Sequence, residues 1–265
     1  MLKFTLYQVD AFASKVFEGN PAAVIPLGDW LPDKVMQSIA QENNLSETAF
    51  FCPSANNFKI RWFTPNGEVK LCGHATLASA YVIFNFLNMK SNQITFESLS
   101  GVLTVKRDRE LYVLDFPSQK PKKCDMPKLL KRGLGVEHQN CYKNEDYLVV
   151  FDNENQISQI SPDFNKLALL DLRGVIITSP GKDYDFVSRA FFPKYGILED
   201  PVTGSAHTKL VPYWSKKLNK SELKAKQISK RGGELFCRNE GNRVIISGYA
   251  KLYMVGEIHL TEVNF

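Results

Sequence analysis

The chain has 265 residues, of which 44% are hydrophobic and 23% charged, a balance typical of a folded globular protein rather than a disordered one. Its net charge of +5 is a mild excess, and the basic clusters 120–132 and 216–231 contain no interleaved aromatic residues. We therefore interpret both clusters as solvated surface and expect no nucleic-acid partner.

The cysteines and the first residues of the chain indicate the cellular compartment in which the protein is expected. The five cysteines are odd in number and include no closely spaced pair, which argues against a disulfide framework and a zinc ribbon. The first residues alternate too soon with polar ones for a signal peptide, and no run of about 18 apolar residues is present. We expect a cytoplasmic protein with no membrane partner.

In the first 116 residues, alternating β-prone positions predict a series of strands. These cover 4–12, 22–26, 48–51, 58–63, 94–97, 103–105 and 112–116. Between the second and third strands, Pro32-Asp33 opens a helix that ends near Asn43-Asn44. Many strands with turn signals, together with a central helix, suggest a curved sheet wrapped around that helix.

Residues 117–127 are rich in proline and lysine, and we place a domain boundary or linker there. A short helix follows at 128–132, and Asp163 caps another. A further helix begins at Gly204, and Pro212 should end or kink it. Strands are predicted at 147–151, 175–178, 185–192, 234–238, 243–248 and 250–258.

The stretch 71–84 is small and apolar throughout, which predicts a buried helix. Its first turn, at Gly73, His74 and Ala75, has backbone N–H groups with no partner inside the helix. Those groups and the helix dipole form a binding site for an anion, and a titratable His74 beside them suggests an active site for a carboxylate. The alternative is a core helix with a hydrogen-bonded histidine.

A second copy of this pattern lies about 130 residues later. Both copies run from an aromatic residue and a proline through an acidic residue to a glycine, a small residue and a helix. The acidic members are Glu68 and Glu199-Asp200, and the second glycine and small residue are Gly204 and Ser205. We infer a duplicated unit; if the halves face each other, a small anion could sit between the two helix ends.

Three residues could carry acid/base chemistry: Glu47, His74 and Asp200. Glu47 stands beside the apolar residues 49–51, which would raise the pKa of its carboxyl toward neutrality. Each has an ordinary alternative: a solvated loop glutamate, a capping or core histidine, and an N-cap or turn aspartate. No cluster has metal-ligand spacing, and G-x-G-x-x-G, P-loop and G-x-S-x-G patterns are absent, so we expect no metal, nucleotide or hydrolase triad.

Four blocks of sequence carry a family resemblance over nearly the whole chain. They read FTLYQVDAFASKVFEGNPAAV, NNLSETAF, LCGHATLASA and EDPVTGSAH, in this order. The chain resembles the PhzF-like family, named after the phenazine-biosynthesis isomerase, within the group that has the diaminopimelate epimerase fold. The resemblance implies an α+β fold of two pseudo-symmetric halves, each a barrel-like, mostly antiparallel sheet around a central helix, with the site in the cleft between them.

The resemblance also implies cofactor-free movement of a proton on carbon and favours a homodimer. Glu47 is similar to the family's acid/base, and His74 and Asp200 match its flanking polar residues. The implied substrate-binding positions, which would hold a small carboxylate, are Ser46, Gly73, Ala75, Gly204 and Ser205. One departure concerns the wider group, whose epimerases use a cysteine at each motif. Here Cys72 precedes the first glycine, but the second motif has no cysteine, which argues against a two-thiol racemase.

We therefore expect an isomerase that acts on a small carboxylate through Glu47. Two alternatives stay open: a non-catalytic carboxylate-binding or regulatory protein on the same scaffold, and a related epimerase or dehydratase. We expect an N-terminal half at 1–116, joined by the C-terminal strand 250–265, and a C-terminal half at 117–249. The sequence names neither the substrate nor the role of Cys72.

Overall fold

The computed structural model describes residues 2–55, 57–137 and 139–260. Contacts among them divide the chain into two compact units. Unit 1 contains the described residues up to Asp115 together with those from Ser247 onward, and unit 2 runs from Phe116 to Ile246. The part of the expected C-terminal strand at 261–265 lies outside the described residues.

Unit 1 is built from an early run of strands and helices and the last strand of the chain. The helices are α1 (Asp33–Asn43) and α2 (Gly73–Phe86). The strands are β1 (Leu2–Ala11), β2 (Asn20–Pro26), β3 (Glu47–Ser54), β4 (Asn57–Thr64), β5 (Gly67–Val69), β6 (Gln93–Ser98), β7 (Gly101–Asp108), β8 (Leu111–Pro117), which crosses the boundary, and β17 (Ala250–Leu260).

Helix α2 occupies the interior of unit 1, as its apolar sequence predicts. Its residues from His74 to Ala80 are all buried, and it contacts β1, β2, β3, β7 and β17. Helix α1 is instead amphipathic and packs Val35, Met36 and Ile39 into a core with Phe50 and Phe63. The sheet thus surrounds one helix and is covered by the other.

Unit 2 has helices α3 (Lys128–Leu134), α4 (Glu154–Gln159), α5 (Phe164–Ala168) and α6 (Gly204–Leu218), with a short 3₁₀ turn at Pro193–Tyr195. Its strands are β9 (Lys122–Cys124), β10 (Asn140–Lys143), β11 (Tyr147–Val150), β12 (Val175–Ser179), β13 (Phe186–Phe191), β14 (Glu222–Gln227), β15 (Gly233–Asn239) and β16 (Arg243–Gly248). Helix α6 is lined with buried residues that include Leu210, Val211 and Trp214.

The two units repeat one order of strand pairing. In unit 1, β1–β2 is antiparallel, β2–β3 parallel, β3–β4 antiparallel, β4–β6 parallel and β6–β7 antiparallel. In unit 2, the series β10–β11, β11–β12, β12–β13, β13–β14 and β14–β15 has the same alternation. The buried helices α2 and α6 also follow equivalent strands, β4 and β13. The α+β fold with an internal repeat is therefore confirmed.

One ion pair is repeated with the strands. Arg61 on β4 forms a two-pronged pair with Glu68 (2.7 and 2.8 Å), and its guanidinium lies over the Phe63 ring. In unit 2, Arg189 on β13 pairs in the same way with Glu199 (2.7 and 2.9 Å) and lies over Phe191. The acidic residue common to both sequence blocks thus anchors the segment ahead of the buried helix to a central strand.

Some sequence-based expectations need correction. Segment 117–127, predicted as a domain boundary or linker, begins next to the boundary between the units but contains the short strand β9. Strands β5, β10 and β14 and helix α4 were not predicted. Of the two outcomes predicted for Pro212, an end of the helix is wrong, because the helix continues to Leu218, and a kink stays a prediction. Proline removes the donor for the carbonyl four residues earlier, that of Thr208, and the backbone N–H of Gln119 bonds that carbonyl at 3.0 Å instead. Among the described residues, none of the helices has the length and hydrophobicity needed to span a bilayer.

Candidate active site

Glu47 is placed by a tight reversal between α1 and β3. Helix α1 ends at Asn44, whose left-handed backbone (φ 48°) turns the chain toward the sheet. Glu47 is the first residue of β3 and pairs in parallel register with Ala22 of β2, while Asn43 donates to the hydroxyl of Thr48 at 3.1 Å. The carboxylate is therefore held at the start of a central strand, with only 12% of its side chain exposed.

His74 in the first turn of α2 meets this carboxylate. Its Nε2 atom lies 3.2 Å from Oε2 of Glu47, and its side chain is 7% exposed. Burial lowers the pKa of His74 to about 3, so the ring is neutral at physiological pH. The other ring nitrogen, Nδ1, lies 3.5 Å from the thiol sulfur of Cys72, the residue that precedes the helix. The imidazole therefore stands between a carboxyl and a thiol.

These three residues also form a cluster with metal-ligand chemistry, which spacing in the sequence did not reveal. One candidate ligand atom each from Glu47, Cys72 and His74 lies within 4.8 Å of the others. However, the histidine presents a different nitrogen to each neighbour. A single metal ion would use only one of those nitrogens, with the carboxylate and the thiolate as its other ligands.

In unit 2, Asp200 belongs to a hydrogen-bonded loop ahead of α6. Its carboxylate accepts a hydrogen bond from the hydroxyl of Thr203, the residue that precedes the helix. Gln227 on β14 holds the same loop: its side chain donates to the Asp200 carbonyl (2.7 Å) and accepts from the Thr203 N–H (2.9 Å). Asp200 is thus not the N-cap itself; it is a buried, 8% exposed carboxylate fixed beside the helix start.

A buried charge cluster supports the first turn of α6, and no local sequence pattern predicts it. Arg173 donates to Ser205 Oγ at 3.1 Å and forms two hydrogen bonds with Asp146, at 2.8 and 2.7 Å. The ammonium of Lys209 lies 3.0 Å from Asp146 and donates to the Ser205 carbonyl at 3.3 Å. Burial alone would raise the pKa of Asp146, but the bonds from Arg173 and the charge of Lys209 bring it below its ordinary value.

His207 lies one turn into α6 and was not singled out from the sequence. Its Nδ1 donates to the Thr203 carbonyl at 2.8 Å, and its ring packs near Phe186. Burial lowers its pKa to about 4, although the bond to Thr203 opposes this shift. His207 is therefore a neutral core residue, the ordinary role that the sequence left open for His74.

The predicted site residues fall into two groups, one in each unit. Unit 1 brings together Glu47 and His74, with Ser46 directly before Glu47 in the chain and Gly73 and Ala75 flanking the histidine. Unit 2 contains Asp200, Gly204 and Ser205 at the start of α6. The roles assigned to these residues stay predictions, as does the pocket expected between the two helix ends.

Sequence comparison identifies relatives over the whole fold. The family model described as "Phenazine biosynthesis-like protein" (PhzC-PhzF) matches residues 9–256. An uncharacterised isomerase of Pseudomonas aeruginosa is 49% identical across 98% of this chain and 100% of its own length.

Solved structures agree. A crystal structure of a PhzF-family protein from Enterococcus faecalis superimposes with a TM-score of 0.95, at 49% identity, over 98% of this chain and 100% of the other. A probable proline racemase from Agrobacterium radiobacter, at 12% identity, covers 97% of this chain and 93% of its own with a TM-score of 0.64. This second likeness shows that the fold is shared with a racemase.

Proposed function

This chain belongs to the phenazine biosynthesis-like family, and from this premise we propose that it is an isomerase that moves a proton on carbon of a small carboxylate without a cofactor. Relatives that are nearly half identical over their full lengths are described as isomerases, which supports the reaction class. The observation that carries the proposal is the Glu47–His74 pair, a buried carboxyl 3.2 Å from a neutral imidazole at the start of a buried helix.

Glu47 is the acid/base of this proposal. It would take a proton from one carbon and return it to another, so it must be stable both with and without that proton. A neutral imidazole offers one N–H and one lone pair, and either nitrogen of His74 can carry the hydrogen. When Nε2 carries it, the N–H lies next to ionised Glu47, 3.2 Å away, and Nδ1 can accept from the Cys72 thiol. When Nδ1 carries it, the lone pair of Nε2 lies next to protonated Glu47. Each tautomer thus matches one state of the carboxyl.

The carboxylate group of the substrate would bind at helix N-termini. The first turns of α2 and α6 present backbone N–H groups at Gly73-His74-Ala75 and at Gly204-Ser205, where an anion is favoured by the helix dipole. At α6 the Thr203 hydroxyl donates to Asp200 and so does not cap the helix. Arg173 donates to Ser205 Oγ, which leaves the hydroxyl hydrogen of Ser205 available to donate to a ligand.

A deuterium wash-in experiment tests the proposal. The protein is incubated in D₂O with a panel of small carboxylates that carry an acidic C–H bond, and each is then analysed by NMR and mass spectrometry. We expect one or more of them to gain deuterium at carbon, because the proton on Glu47 exchanges with solvent between turnovers. Binding in a thermal-shift assay with no deuterium gained by any bound compound would contradict an isomerase and support the carboxylate-binding alternative.

Analysis of the product distinguishes the proposed isomerase from a related epimerase or dehydratase. An epimerase would introduce deuterium with inversion at the same carbon, and a dehydratase would release water. The proposed isomerase introduces deuterium at a different carbon from the one that lost hydrogen.

The expected homodimer is a further part of the proposal. Sedimentation velocity over a range of concentrations tests it directly, and a monomer at all concentrations would contradict it.

A further inference from the structure

Two cysteines that are far apart in the sequence face each other across two strands of unit 2. Cys124 is the last residue of β9, Cys141 lies in β10, and the two are direct partners in the antiparallel register. Their sulfur atoms are 3.6 Å apart, and both thiols are reduced. The sequence suggested no close cysteine pair, because neither the short strand β9 nor β10 was predicted.

The pair is accessible from one side. Cys124 is partly exposed, Cys141 is only 2% exposed, and both line an open cavity of about 530 Å³. The cavity wall also includes Lys123, Met126 and Asp152. A small polar molecule can therefore reach the sulfur of Cys124, while Cys141 lies behind it against the core formed with Tyr147 and Val149.

The two thiols differ in their readiness to react. Burial, together with the neighbouring Cys124 thiol, raises the pKa of Cys141 to about 12. Because the thiolate is the reactive form, Cys141 is a poor first nucleophile. The more exposed Cys124 is therefore the sulfur that an incoming oxidant meets first.

We propose that Cys124 and Cys141 form an intramolecular disulfide when a hydroperoxide enters this cavity. The Cys124 thiolate attacks the peroxide, forming an S–O bond as the O–O bond breaks, which yields a sulfenic acid and hydroxide. The Cys141 sulfur then displaces that hydroxyl group, and its proton leaves with it as water. The two thiols are oxidised, and one hydrogen peroxide is reduced to two waters.

The geometry favours this bond over the alternatives. Directly opposed residues of an antiparallel pair have side chains on the same face of the sheet, so both sulfurs can approach by rotation about their own side-chain bonds. The sulfurs need to move together by only about 1.5 Å to reach a disulfide length of about 2.05 Å. The bond would covalently attach the three-residue strand β9 to β10 in the sheet of unit 2.

The experiment counts thiols in the full-length protein before and after treatment with dilute hydrogen peroxide. Samples are denatured, alkylated and measured by intact mass, and a protease digest locates any cross-link. The reduced protein has five free cysteines, so we expect three to be alkylated after oxidation (five minus two) and a cross-linked peptide joining Cys124 to Cys141. Dithiothreitol should restore all five. The oxidised protein should also resist proteolysis within 117–127 better than the reduced one.

Two variants and a control complete the test. In Cys141→Ser, we expect Cys124 to stop at the sulfenic acid, which dimedone traps, and no cross-link to form. Cys124→Ser should retain all of its thiols under the same treatment, and the buried control Cys237→Ser should still form the cross-link. Five alkylated thiols in oxidised wild type, or a cross-link that uses any other cysteine or a second chain, would overturn the proposal. Isomerase activity is not needed for any of these readouts.

Discussion

His74 Nε2 and Glu47 Oε2 lie 3.2 Å apart although the two residues belong to different elements, a helix start and a strand start. Both side chains are nearly removed from solvent, and the imidazole is neutral because burial lowers its pKa. A neutral histidine cannot balance the charge of a carboxylate as an ion pair would, but it can exchange the roles of hydrogen-bond donor and acceptor with it.

Replacing Glu47 by Gln should abolish deuterium wash-in while leaving the fold intact. The amide fills the same space but cannot take up a proton, so the loss should be about 10³-fold or more, within the usual range for a general acid/base. Circular dichroism and thermal unfolding check the fold. Glu42→Gln, an exposed glutamate on α1, is the matched control and should exchange at the wild-type rate. Exchange by Glu47→Gln at the wild-type rate would remove Glu47 from the mechanism.

Replacing Cys72 by Ala should slow wash-in only modestly, by about tenfold or less, in keeping with the loss of one weak hydrogen bond to His74. In a mechanism that used Cys72 as a base, the same change would be as damaging as Glu47→Gln. The control is Cys52→Ala, a buried cysteine whose thiol pKa is raised to about 11 by burial. Rates for the three variants, measured at one pH, distinguish a positioning thiol from a reactive one.

The two buried histidines should make the protein less stable in mild acid. Their folded-state pKa values, about 3 for His74 and about 4 for His207, lie below the ordinary value of 6.5. The unfolded chain therefore binds protons first as the pH falls. The contribution of each neutral histidine to the free energy of unfolding is fully present above pH 6.5. It falls progressively below that pH, by about 2 kcal/mol per histidine at pH 5.

Urea unfolding at pH 8 and pH 5, followed by tryptophan fluorescence, measures this effect. His207→Asn keeps a donor for the Thr203 carbonyl but does not titrate, so its loss of stability between the two pH values should be smaller by about 2 kcal/mol. His259→Asn, an exposed histidine, should behave as wild type. An unchanged pH dependence in His207→Asn would mean that this histidine is not neutral in the fold.

Asp146→Asn should be strongly destabilising, by about 3–5 kcal/mol, because it removes the buried counter-charge of the Arg173 guanidinium and leaves the buried ammonium of Lys209 only the exposed Glu145, 3.6 Å away. Asp185→Asn is a suitable comparison, since it removes an aspartate paired with Lys220 whose ammonium side chain is 51% exposed. For that variant, we expect the loss of the ion pair to lower the free energy of unfolding by about 1 kcal/mol or less. Equal decreases in the free energy of unfolding of the two variants would show that the buried cluster stabilises the fold no more than an exposed ion pair does.

The repeated arginine–glutamate pair should contribute to stability and not to chemistry. A double-mutant cycle with Arg189→Gln and Glu199→Gln should give a coupling free energy of about 1–2 kcal/mol, because the two-pronged pair is largely shielded from water. The exposed pair Arg238–Glu240, measured in the same way, should give about 0.5 kcal/mol. Loss of deuterium wash-in by a folded Glu199→Gln variant would contradict the structural role.

The sequence predicted what local patterns encode. The apolar run after Gly73 predicted helix α2, and the alternation of apolar and polar residues predicted most strands. The predicted cap at Asp163 is confirmed, because its carboxylate accepts a hydrogen bond from the Lys166 N–H. The repeat of aromatic, proline, acid and glycine was also visible, and its acid is the glutamate of the arginine pair. These features depend on residues that are near one another in the chain.

Long-range contacts were beyond the same reasoning. The continuation of α6 past Pro212 depends on an N–H donated by Gln119, more than 80 residues earlier. The charge cluster under Ser205 joins Asp146, Arg173 and Lys209 from three separate segments. The approach of Cys124 to Cys141 likewise follows from strand register and not from spacing. No periodicity in the sequence reports such pairings.

The pairing of β1 with β17 has a consequence for biosynthesis. Leu2 to Ala11 align with residues 250–260 of strand β17, so the half that contains Glu47 and His74 cannot close until residues 250–260 have been synthesised. The other half is contiguous and can fold while synthesis continues. We therefore expect a nascent polypeptide halted before residue 250 to display a native second half and an unpaired β1 edge, the state in which chaperones would engage it.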